Sequence, residues 1–161
     1  MIKYIVVGLL IFIVYITFAG SLSTYTVMTG LLVSTVLSIM SAKYLVVDEK
    51  KLFDLKRLLY AVYYFVKYMT IIEIKAHMDV VKRIINMDID PGIVKVPVNV
   101  KSRYARLLVM GSITNTPGTV VVDEKNNYFY VNWIKVTTFE PMEARRIISE
   151  EFEYYAYKIF E

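Results

Sequence analysis

Residues 5–19, IVVGLLIFIVYITFA, and 27–46, VMTGLLVSTVLSIMSAKYLV, decide how this chain is built. Each comes near the roughly 20 apolar residues that cross about 30 Å of hydrocarbon, the first if Ile2 and Tyr4 join it. Between Met1 and Val47 only Lys3 and Lys43 carry charge. The connector Gly20-Ser21-Leu22-Ser23-Thr24 is short, polar and uncharged, so residues 1–47 read as a transmembrane helical hairpin with both ends on one side. A secretory signal fits poorly, because the first apolar stretch runs straight into a second. Positive charge accumulates on cytoplasmic flanks. Lys3, Lys43, Lys50, Lys51, Lys56 and Arg57 all flank the open ends of the hairpin and its loop has none. The expectation is a multi-pass protein of the cell membrane with both termini cytoplasmic.

In 161 residues, 57% of them hydrophobic, there is room for this anchor and one small soluble domain, and not for a transporter acting alone. The absence of cysteine removes disulfides, iron–sulfur ligands and thiolate zinc sites, and a single histidine argues against a self-contained metalloenzyme. No cofactor or metal is expected. Residues 50–106 hold twelve basic and five acidic side chains. Directly after a membrane span, such a surplus suits anionic lipid headgroups better than nucleic acid. Glutamine is absent while Ile, Val, Tyr, Lys and Glu are abundant, a bias of heat-loving organisms that fits an archaeal source.

In the second apolar stretch, Thr26, Gly30, Ser34, Ser38 and Ala42 recur at four-residue steps. Small residues at that spacing form one ridge and let another helix come close. Proton or sodium pathways need Asp, Glu, Lys or His inside the membrane, and the middle of both spans lacks them.

Residues 48–86 open on the charged break Asp48-Glu49-Lys50-Lys51 and continue as a helical pattern from about Phe53 to Ile85. Leu55, Leu58, Leu59, Val62, Phe65, Val66, Met69 and Ile72 form one apolar stripe, and Lys56, Arg57, Tyr60, Tyr63, Tyr64 and Lys67 the other face. A third span over 55–74 is the alternative, but it would place Lys67 in hydrocarbon and export the basic remainder of the chain. An interfacial amphipathic helix is the expectation, with tyrosines at headgroup level and lysines toward water. Lys75 with Asp79 and Asp79 with Arg83 are spaced to pair along it.

The turn cluster NMDIDPG, residues 86–92, marks the boundary to a soluble domain over 87–161. Residues 93–98 predict a strand that Pro97 puts at a sheet edge. Ser102 is placed to cap a helix reaching about Ile113. Thr116-Pro117-Gly118-Thr119 has the order of a type II turn. Val120–Asp123 and Tyr128–Ile134 predict a hairpin closed by Glu124-Lys125-Asn126-Asn127, and one helix is predicted from Pro141 to Phe160. The fold class expected is therefore a membrane α-helical hairpin and an amphipathic helix followed by a small cytoplasmic α+β domain. Its order is β-α-β-β-α, partly ferredoxin-like, with both helices on one face of the sheet.

Two motifs carry a resemblance. Asp90-Pro91-Gly92-Ile93-Val94-Lys95-Val96-Pro97 and Ser112-Ile113-Thr114-Asn115-Thr116-Pro117-Gly118-Thr119-Val120-Val121-Val122-Asp123 flank a leucine-rich helix behind a hydrophobic amino terminus. In this arrangement the chain resembles the MrpE (also MnhE) components of multisubunit sodium/proton antiporters. It departs from their pattern at Gly111, where many relatives carry asparagine, and at Asn115, where many carry an apolar residue. The resemblance implies a non-catalytic accessory and assembly subunit of a module that exchanges monovalent cations for protons. It implies other antiporter-module membrane subunits as partners, either in a stand-alone antiporter or in an archaeal hydrogenase or sulfur-reducing respiratory complex. It marks Pro91, Gly92, Pro97, Thr116, Pro117, Gly118, Thr119 and Asp123 as structural motif residues.

No motif points to catalysis. The Pro-Gly-Thr turn lacks the extended glycine pattern and lysine of a phosphate loop, and acidic pairs such as Glu150 and Glu151 have no base or nucleophile beside them. Trp133, Tyr128, Phe129 and Tyr130 lack the glycines of an RNA-binding strand, so sheet packing or a subunit contact is expected and nucleic acid is not. The alternative is a membrane-tethered binding module that recruits a cytoplasmic ligand or nucleic acid through its basic middle segment.

Overall fold

The computed structural model describes residues 1–46, 48, 49, 51 and 54–161, which form two compact units, Met1–Asp54 and Leu55–Glu161. The hairpin boundary at Val47 and the helix start near Phe53 lie outside the described residues.

The first unit is two helices, α1 (Ile2–Ala19) and α2 (Thr24–Leu45), both long and apolar enough to cross a membrane. Gly20 ends α1 at φ 61°, a left-handed conformation that glycine reaches without a Cβ clash, and its amide donates to the Ile16 carbonyl. The Ser23 hydroxyl caps α2 by accepting from the Thr26 amide. Thr17, Thr35 and Ser41 each donate their hydroxyl to a carbonyl four residues back.

The second unit opens with a long helix in three parts, α3 (Leu55–Lys67), a π-helical turn (Tyr68–Ile72) and α4 (Glu73–Asn86). It continues with β1 (Gly92–Pro97), α5 (Arg103–Asn115), β2 (Thr119–Lys125), β3 (Tyr128–Trp133), α6 (Pro141–Ile148) and α7 (Glu150–Phe160). The three strands form an antiparallel sheet in the order β1-β3-β2, so α5 carries the chain over β3 and Pro97 lies on an edge strand. Side chains alternate. Val94, Val96, Phe129, Val131 and Trp133 enter the core, while Ile93, Lys95 and Asn132 face away, as in a sheet covered on one face.

The structure corrects several expectations. The long helix is not a segment apart from the domain: α3 packs on α7, and Tyr64 and Tyr68 are core residues of the same unit. The hairpin turn shrinks to Asn126-Asn127, both at positive φ (53° and 62°), a conformation that twists with the strands and that asparagine tolerates. The carboxyl-terminal helix breaks at Ser149, which is buried against the Glu153 carboxylate. Ser102 precedes α5 but its side chain makes no capping bond; the Glu161 carboxylate accepts from the Lys101 and Ser102 amides instead. Asp79 pairs with Arg83 at 2.6 Å, and among the described residues Lys75 forms no ion pair.

Candidate functional site

Among the described residues no group of three or more His, Asp or Glu side chains could hold a metal ion. What the residues do build are packing surfaces.

In the hairpin, Gly30, Ser34, Ser38 and Ala42 are the buried residues of α2, and Thr26 lies half-buried at its capped end. Their face meets α1. A Cβ placed on Gly30 would stand 2.8 Å from the Tyr15 ring and 3.1 Å from Phe12, so only glycine permits this approach. Gly8 of α1 faces the Ser38 Cβ at 3.5 Å. Two hydrogen bonds cross the seam, Tyr15 with Thr29 at 3.0 Å and the Ser38 hydroxyl to the Tyr4 carbonyl. The partner of the ridge in this structure is therefore the chain's own first helix.

The motif residues of the second unit serve turns and junctions. Asp90 forms an isolated parallel bridge with Lys135, its amide donating to the Ile134 carbonyl. After exposed Pro91, Gly92 admits the Val136 side chain, which a Cβ would meet at 2.9 Å. Pro97 pairs across from Tyr128. In the turn after α5, Gly118 sits at φ 96° and the Thr119 amide donates to the Thr116 carbonyl, with Pro117 half-buried between. The Thr119 hydroxyl donates to the Ile113 carbonyl at 2.7 Å and fastens β2 to the end of α5. Asp123 lies exposed beyond a β-bulge and accepts from the Glu124 amide. These residues shape the path of the chain.

The surface with most chemistry lies between α3 and α5, and sequence reasoning missed it. A groove of about 380 Å³ has Ala61, Phe65, Leu107 and Leu108 on its walls and Tyr64 and Ser112 at its base. Tyr64 hydrogen-bonds the Ser112 hydroxyl, and Tyr68 donates to the Ser112 carbonyl and meets Thr116 at 3.1 Å. Asn115 donates to both Tyr68 and Glu73. Burial pushes the Tyr64 phenol well above its ordinary range, so it stays a neutral donor. On the other flank of α3, Lys67 makes an ion pair of 2.6 Å with Glu151, which holds the ammonium above the usual lysine range. Gly111 lines this groove with nothing within 4 Å of where its Cβ would stand.

A family model described as Na+/H+ ion antiporter subunit (MNHE) matches residues 8–159. The chain belongs to that family. The corresponding Na+/H+ antiporter component of Alkalihalophilus pseudofirmus, of the E type, is 38% identical over 84 residues, which are 50% of this chain. The match spans about half, 52%, of the length of that relative. One chain of a solved structure titled as the membrane-bound sulfane sulfur reductase, an archaeal respiratory membrane complex, superposes with a TM-score of 0.78. It is 24% identical, over 98% of this chain and 99% of that one, so the likeness is one of fold. Over 98% of its length this family member thus has a fold also found in an archaeal respiratory membrane complex.

Proposed function

We propose that this chain is a non-catalytic accessory and assembly component, of the MrpE type, in an Mrp-type monovalent cation/proton antiporter module. The observation that carries the reading is the family match over residues 8–159 on a hairpin whose only charged residues, Lys3 and Lys43, stand at its ends. Such a hairpin offers no ionisable relay for a translocated ion, and the Tyr15, Thr29 and Ser38 hydroxyls are spent on the helix seam. The fold likeness to a respiratory complex supports a setting in an assembly of that kind. Within the fold, the order β1-β3-β2 with α5 as the crossover supports the partial ferredoxin-like plan. Gentle detergent extraction and native mass spectrometry test the function. Co-migration with several polytopic subunits is expected, and a free monomer with a salt-sensitive ligand would favour the tethered binding module instead.

The same reading includes a topology of two crossings with both termini cytoplasmic. A crossing by α3 and its π-turn would draw the Lys67–Glu151 pair and the rest of the α+β unit packed on them into hydrocarbon. Because the chain has no cysteine, single replacements report position cleanly. Ser23→Cys should react with an impermeant thiol reagent from outside in intact cells, and Asn126→Cys only after lysis. Labelling of Asn126→Cys in sealed cells would put the α+β unit outside and reverse the orientation.

A further inference from the structure

The helix from Leu55 to Asn86 is used on one side only. Its inner face builds the α+β unit: Tyr64 and Tyr68 belong to the core, half-buried Ile72 packs against it, and Val80 reaches Gly118. These positions follow steps of four, which at 3.6 residues per turn would drift by about 160° between Tyr64 and Val80. The π-helical turn at Tyr68–Ile72 absorbs an extra residue and keeps the inner face on the domain. It also keeps the outer face continuous. Leu58, Val62, Met69, Met78, Val81 and Ile85 lie opposite the domain and are 46–74% exposed, along a helix about 45 Å long. An apolar stripe of that length is not left to water in a monomeric soluble domain.

Two observations say what covers it. Leu55 follows the last residue of α2, Leu45, by only ten positions, so the helix is tethered to the membrane hairpin by a linker that reaches at most about 35 Å. Beside the stripe, Lys75 and Lys82 are exposed and form no ion pair among the described residues, as suits anionic headgroups.

We propose that α3, the π-turn and α4 lie in the membrane–water interface, with the outer stripe among the upper acyl-chain carbons and Lys75 and Lys82 at anionic phospholipid headgroups. The α+β unit is then seated on the bilayer through its own first helix. Its tyrosine face, expected from the sequence at headgroup level, is the face turned to protein. The inference rests on the reading that the hairpin is in the membrane.

The test uses the full chain with whatever subunits accompany it. Single cysteines at Val62, Val81, Leu32 and Tyr154 carry a fluorophore, and the protein is placed in phosphatidylcholine–phosphatidylglycerol vesicles with plain or brominated acyl chains. Leu32, exposed on α2, reports the hairpin, and Tyr154, exposed on α7, reports water. Bromine near the headgroup is expected to quench Val62→Cys and Val81→Cys several-fold more than Tyr154→Cys. Lys75→Glu with Lys82→Glu, or omission of phosphatidylglycerol, should weaken quenching at Val81→Cys. Quenching at Leu32→Cys with none at Val62→Cys and Val81→Cys would mean that another protein or water covers the stripe, overturning the inference while the hairpin stands. No quenching at Leu32→Cys would instead sink the membrane hairpin itself.

Discussion

Arg145→Leu is expected to destabilise the α+β unit by about 3–5 kcal/mol, because it strands a buried carboxylate. Glu153 is 3% exposed. One of its oxygens accepts from Arg145 Nε and Nη2 at 3.1 and 2.9 Å, and the other accepts from the Ser149 hydroxyl at 3.1 Å. With its amide oriented to match, the Asn99 oxygen also faces the Arg145 guanidinium, tying the strand-to-helix loop into the cluster. Without Arg145 the carboxylate keeps one neutral donor, and a buried charge so poorly partnered is costly. Arg145→Leu with Glu153→Leu should recover much of the loss, since replacing both members of a buried pair by apolar groups is far milder than removing one. Thermal melts of the detergent-solubilised chain decide it. A single Arg145→Leu variant that melts with the wild type would show that the pair is not holding the helices, and a double variant no better than the single would assign the loss to packing.

That cluster also shows where the sequence stops being legible. Nothing in residues 141–160 breaks a helix by composition, so one continuous element is the natural expectation. The break at Ser149 comes from tertiary demand: Ser149 is fully buried with its hydroxyl on Glu153, and its backbone leaves helical geometry at φ −124°. The tyrosine face of α3 escapes a sequence reading for a related reason. A tyrosine ring is apolar and its hydroxyl needs only one partner, so Tyr64 suits a headgroup region or a core equally well until Ser112, 48 residues away, is known to meet it. The α5 cap depends on Glu161 in the same way. What can be read early is local. The two apolar stretches fix their helices by composition, Gly118 supplies its positive φ by the logic of its turn, and Pro97 can sit only where no strand pairs beyond it. The ridge on α2 is visible as spacing, while the identity of the facing helix is not.

Gly30→Leu tests that ridge and is expected to open the hairpin. The leucine Cβ alone would lie 2.8 Å from the Tyr15 ring, closer than real Cβ atoms approach, and 3.1 Å from the Phe12 ring. Overpacking of this kind costs about 1–3 kcal/mol, and displacing Tyr15 also breaks its bond to Thr29, about 0.6 kcal/mol within a membrane. Ser34→Leu, at 4% exposure on the same face, should act in the same direction. Val36→Leu, half exposed on the lipid side, should be tolerated. The hairpin itself can report the separation: cysteines at Gly8 and Ser38 would have Cβ atoms 3.5 Å apart, within reach of a disulfide. Oxidation should close that bond efficiently in the Gly8→Cys/Ser38→Cys chain and in its Val36→Leu derivative. It should fail in the Gly30→Leu derivative, which should also co-purify with fewer partner subunits, since a splayed hairpin presents the wrong outer surface to them. Equal cross-linking in all three would show that the two helices do not need the ridge to meet, and that its small residues serve a neighbour outside this chain.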